Sequence, residues 1–217
     1  MYLAEVEAPK VERADGAPER RPSDRWESFP FSRLSHHGAA CCETARHWVV
    51  AMDFAQLNGA DLSSGPRWLR AKYKWGPSAW PMHWCEVVKR DVIDCGAHAA
   101  LAHEVFTARG LIAFPAQLVQ TYSTDSTEQW RGSWQAEDVS CHWLDGEHIY
   151  HEVTGVLVGD ALKLWDGSAG CWVNPRQNGG YGSVAAVRIF ADGEHATSET
   201  LPWGERLIRP NVWNQLD

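Results

Sequence analysis

The apolar positions change their period once along the chain. From Ala40 through Trp48, Val49 and Met52 to Leu57 they recur at helical spacing, and Asn58-Gly59 supplies a stop, which predicts a helix. A short helix is expected between Pro66 and Tyr73, and another across AWPMHWCEVVKR, where Pro81 is tolerated in a first turn. The stretch VIDCGAHAALAHEVFTARG follows, with Asp94 as N-cap, Cys95 as the first helical residue and Gly110 as the left-handed stop. Ala97, Ala99, Leu101, Ala102, Val105 and Phe106 make that helix apolar nearly all round, the pattern of an interior element. Beyond Gly110 the pattern turns extended. LIAFPAQLVQTY reads as a strand with a proline near its start, and residues 139–175 carry three candidate strands separated by Asp145-Gly146 and Gly159-Asp160. GGYGSVAAVRIFADG adds another, closed by Asp192-Gly193. Helices first and antiparallel strands afterwards predict an α+β domain.

Length and composition narrow this picture. The 217 residues suit a single domain over 26–217 behind a flexible leader, 1–25, which is poor in branched apolar residues. A net charge of -8 disfavours nucleic acid as a partner. The chain start lacks the apolar core of a signal peptide and no stretch is long enough for a membrane span, so a cytoplasmic protein without membrane contact is expected. Six cysteines are too sparse for a disulfide scaffold, and the cysteine question becomes a chemical one. The 13 tryptophans supply large apolar faces, enough to fill a core and to wall a cleft.

Cys95 is the candidate nucleophile. A helix N-terminus favours an anion, lowering a thiol pKa and offering N–H groups to an oxyanion, although Asp94 opposes the ionisation. A core cysteine in a small-residue helix is the competing reading. A thiolate needs a base, and the base needs an orienting carboxylate. In HIYHEVTGVLVGDALKLWDGS the turn at Gly159-Asp160 folds the strand of His151 back along that of Asp166, within diagonal-neighbour reach on a sheet.

A cysteine opening a buried helix, then a strand, then a histidine and an aspartate on consecutive strands resembles the transglutaminase-like, papain-related cysteine enzymes. ARGLIAFPAQLVQTY is similar to that family's helix-to-strand stretch at Phe114, Pro115, Ala116, Gln117 and Val119, and the histidine strand matches at Glu152, Val153 and Trp165. The resemblance spans roughly Trp80 to Pro175 and implies a nucleophile helix packed on an antiparallel sheet, with Cys95 as nucleophile, His151 as base and acid, and Asp166 as its orienter. It further implies an oxyanion donor upstream of the cysteine, with Trp75, Trp80 and Trp84 as candidates and Trp80 ranked first; Trp80 and Trp84 also fit a core stripe. Trp75, Trp84 and Trp165 are the candidate substrate contacts. The chain departs from the family at Ile93, Gly96, Gln117 and Gly167, which marks a divergent branch and leaves the substrate class open. The activity implied is attack on an amide or acyl carbonyl through a thioester, by a peptidase, an amidase or a transamidase with an amine acceptor, and with no cofactor.

Other histidines and cysteines offer rival chemistry. His98, one turn after Cys95, could touch the thiol but better fits a packing or solvent position; His148 is placed across the strand from His151, and His142 either approaches the site or flanks it. His36, His37, Cys41, Cys42 and His47 form a mixed cluster in which His37 and Cys41 could share a zinc ion, but its spacing matches no closed zinc module, so no metal is assigned. Cys85, Cys141 and Cys171 read as interior thiols. A peptide-binding module without catalysis and a zinc-binding protein are the alternatives to the enzyme.

Overall fold

The computed structural model describes residues 34–36, 39–76, 78, 82–121, 148–159, 161–173, 183–190 and 205–208. The leader 1–25, the strand expected before Asp145-Gly146, and Trp80, Pro81, Cys141 and His142 lie outside them. The first helix, α1 (Ala39–Leu57), ends where its sequence predicts, with Asn58 at φ 41° and Gly59 at φ 81°. A short α2 (Arg67–Lys72) follows the buried Pro66 and buries Leu69.

Of the helix expected across residues 79–90, the described part, from Met82 on, contains a single turn. Met82–His83 form a strand, β3, paired in parallel with β1 (Leu34–Ser35), and only Trp84–Val87 are helical, as α3. A reciprocal cap starts this turn: the His83 side chain takes an N–H one turn in, and the Glu86 carboxylate takes the His83 N–H at 3.2 Å. What ends it is tertiary pairing, because β4 (Val92–Ile93) is held extended beside β2 (Lys74–Trp75). That parallel pair delivers the chain directly to Asp94.

Helix α4 (Cys95–Ala108) matches its prediction at both ends. Asp94 Oδ1 accepts from the Ala97 N–H at 2.9 Å, and Gly110 adopts φ 81°. The helix lies on a six-stranded antiparallel sheet in the order β10-β9-β5-β6-β7-β8. Its strands are β5 (Ala113–Thr121), β6 (His148–Val158), β7 (Ala161–Asp166), β8 (Cys171–Trp172), β9 (Ser183–Phe190) and β10 (Glu205–Ile208). Although β5 is central, its Pro115 precedes the β9 ladder, which begins at Ala116 opposite Ile189, so the missing N–H leaves no gap there. Helix α4 places Leu101, Val105 and Phe106 in one core with Val156 and Trp165, while Ala116, Leu118, Val153 and Leu164 form a second cluster. The architecture is therefore α+β, and among the described residues no helix is long and apolar enough to cross a membrane.

Candidate functional site

Three elements converge at the N-terminus of α4. Cys95 is its first residue and is half-buried; Asp94 before it is held in place by its own N–H, which donates to Ser78 Oγ at 3.1 Å. His151 lies buried on β6, opposite Leu118 of β5. Asp166 ends β7 just past the Thr154–Trp165 pair and is fully buried. As the hairpin spacing predicts, imidazole and carboxylate meet: His151 Nε2 lies 2.9 Å from Asp166 Oδ2. The Cys95 thiol lies close enough to the same imidazole for each group to shift the other's pKa. With Nε2 committed to the carboxylate, Nδ1 is the nitrogen left to take the thiol proton.

The second oxygen of Asp166 is fixed by residues that the sequence reading passed over. Oδ1 accepts from the Ser168 hydroxyl at 2.7 Å and from the N–H groups of Ser168 and Ala169 at 3.0 Å. This is a local Asx-type turn, and the Asp-Gly-Ser run was its available signal. Gly167 allows that turn to lie against α4, since an added Cβ would meet His98 Cβ and the His98 carbonyl oxygen at 3.1 Å. Gly167 thus has a packing reason in this chain.

Electrostatics tie the three groups together. Burial works against charge on His151, but Asp166 and then Cys95 overcome it and hold the imidazolium pKa well above the ordinary 6.5. Burial likewise opposes charge on Asp166, and the His151 cation outweighs it, keeping the carboxyl well below its usual range. For Cys95 burial wins: its pKa is raised, His151 only partly offsets this, and Asp94 and Glu152 add to the rise. The helix-terminus argument anticipated a lowered thiol pKa; two carboxylates and desolvation reverse its sign.

The remaining candidates are placed as follows. Trp75 is half-buried and pairs with Ile93, two residues before Cys95 in the chain. Trp84 is a core residue under the Arg46 guanidinium, 5.8 Å from its ring. Trp165 is 1% exposed and packs edge-on against Phe106 and Trp172, so the assignment of Trp165 to substrate contact is corrected: its large face is spent on the core. Trp80, the ranked oxyanion donor, and the side chain of His148 lie outside the described residues. His98 is fully buried edge-on to Tyr73, both its ring nitrogens lack hydrogen-bond partners, and burial pushes its pKa down to about 3. Of the residues weighed for zinc and not assigned to it, His36 is exposed, His37 is outside the described residues, and His47 sits exposed 3.1 Å from Glu43. Cys85, read as an isolated interior thiol, instead joins Cys41 and Cys42. No family model, curated protein or solved structure matches the chain.

Proposed function

We propose that the protein is a cysteine-dependent acyl-transfer enzyme, a divergent transglutaminase-like member, in which Cys95, His151 and Asp166 act in series. The observation that carries this reading is the imidazole of His151, electrostatically coupled to a helix-terminal thiol and bonded at 2.9 Å to a buried carboxylate fixed by three further donors. A carboxylate so satisfied holds the ring orientation and stabilises the imidazolium without accepting its proton.

The proton inventory defines the reactive form. At low pH the set holds thiol, imidazolium and carboxylate; loss of one proton gives the thiolate–imidazolium pair, and the macroscopic pKa belongs to the set. The sulfur then adds to an amide or acyl carbonyl carbon, and the Cys95 N–H faces the developing oxyanion from the helix start. His151 gives its proton to the departing amine as the C–N bond breaks, leaving a thioester on Cys95. Water or a second amine, deprotonated by the neutral imidazole, attacks the thioester and regenerates the thiol. Peptide or small amide substrates and an amine acceptor fit this scheme equally.

p-Nitrophenyl acetate tests it without knowledge of the natural substrate. The expected result is acetylation mapped to Cys95, released by hydroxylamine as a thioester, absent in Cys95→Ser and strongly slowed in His151→Ala. Equal acetylation of other thiols, or a rate indifferent to His151, would overturn the proposal.

A further inference from the structure

Away from this site, two helix starts bring three thiols together. The parallel β1–β3 pair sets Ser35 opposite His83, with Ser35 Oγ 2.7 Å from His83 Nδ1. Each strand leads into a helix, so α1 and α3 begin side by side. Cys41 and Cys42 stand in the first turns of α1, and Cys85 is the second residue of α3. Their Sγ atoms all lie within 4.8 Å of one another, the one such group of three or more metal-ligating side chains among the described residues. Cys42 and Cys85 are buried and Cys41 is exposed, which gives the cluster a closed floor and an open mouth. None of the three is in a disulfide.

We infer that Cys41, Cys42 and Cys85 form a three-thiolate site for a soft d10 cation of the copper(I) or zinc(II) class. Three sulfurs bonded to one ion at about 2.3 Å stand about 3.8–4.0 Å apart, so small side-chain rotations close the observed spacing. Thiolates select such ions over hard cations, which require oxygen. Three protein ligands leave an outward coordination position at the exposed Cys41 side for solvent or an exogenous ligand. The 19-residue α1 adds its positive end to a site that must gather negative charge.

Binding exchanges three thiol protons for one dication and leaves the complex with one net negative charge. Affinity must therefore fall steeply with acid.

Titration of the reduced full-length protein with cadmium(II), followed by sulfur-to-metal charge-transfer absorption, tests the site. One equivalent should bind, with competition by zinc(II), and the absorption should be retained in Cys95→Ser, which separates this site from the proposed nucleophile. Cys41→Ser, at an exposed position that the fold does not need, should weaken binding by more than about tenfold. Cys85→Ser should do the same if it folds. Absent stoichiometric absorption, absorption unchanged in Cys41→Ser, or absorption lost in Cys95→Ser would each overturn the inference.

Discussion

Two aspartates are buried to the same degree and used in opposite ways. Asp53 of α1 receives Arg109 at 2.7 Å on both oxygens and the Trp68 indole N–H at 2.8 Å. The same guanidinium reaches the Leu62 carbonyl at 2.9 Å and the Ser64 carbonyl, so α1, the 62–64 loop, α2 and the end of α4 are tied at one point. Asp166 is likewise surrounded by donors, from Ser168, Ala169 and His151, but its cationic partner is an imidazole that is also coupled to a thiol. A guanidinium has no proton to give in the range where proteins stay folded, whereas an imidazole passes one on. Similar burial and donor coverage thus accompany a clamp in one place and, on the proposed function, a relay in the other, and the partner's proton chemistry makes the difference.

The clamp predicts the largest effect. Asp53→Ala leaves the Arg109 cation buried and unmatched, and should cost about 3–5 kcal/mol in denaturant unfolding. Asp166→Asn keeps an amide in the carboxylate's place and should cost much less, while strongly slowing acetylation of Cys95. Equal stability losses for the two variants would erase the distinction between clamp and relay.

A second contrast concerns acid, and His98 sets its sign. Its folded pKa of about 3 lies below the ordinary 6.5, so between those values the unfolded chain binds the extra proton and stability falls as pH falls. Asp166 works in the same direction lower down, because its depressed folded value makes its contribution present above the ordinary carboxylate range and lost as pH drops through that folded value. His151 does the reverse: its raised value contributes fully below 6.5 and is lost as pH rises through the folded value. Urea unfolding at neutral pH and near pH 4 should differ by a few kcal/mol, on the order of the His98 shift, and His98→Leu should remove much of the difference. An unchanged acid loss in that variant would move the cause to the carboxylates.

The two aspartates also differ in how far sequence alone revealed them. His151 and Asp166 were legible because a single hairpin turn, with Gly159 at φ 62°, fixes their separation. The α4 boundaries were legible because Asp94 and Gly110 are local signals. Asp53 and Arg109 are 56 positions apart on different helices, and a lone charge on a helical pattern reads as solvated until the tertiary partner is known. The shortened α3 and the Cys41–Cys42–Cys85 meeting have the same origin, since both depend on two-residue parallel pairs whose partners lie far away in the chain. Trp165 was misplaced because an indole beside a candidate site and an indole filling a core look alike in one dimension.

The relay makes its own prediction about reactivity. Since His151 is what partly restrains the rise in the Cys95 pKa, His151→Ala should move the pH profile of iodoacetamide alkylation at Cys95 further to the alkaline side. Each unit of that displacement is about a tenfold lower rate at a fixed pH below it. Asp53→Ala, where still folded, should leave the profile in place. A profile that ignores His151 would reduce the relay to a packing contact like the clamp.

The smallest effect tests whether stability and reactivity separate at a single residue. Asp94 caps α4 through the Ala97 N–H at 2.9 Å, so Asp94→Ala should cost about 1 kcal/mol of stability. The same carboxylate raises the Cys95 pKa, so its removal should speed alkylation of Cys95 at neutral pH even as the fold weakens. Asp94→Asn divides the two roles, since its amide oxygen retains the cap while its charge is gone; it should keep the stability and still gain the rate. If both variants slow alkylation, the cap is needed to hold the thiol against His151, and the charge of Asp94 is secondary to its geometry.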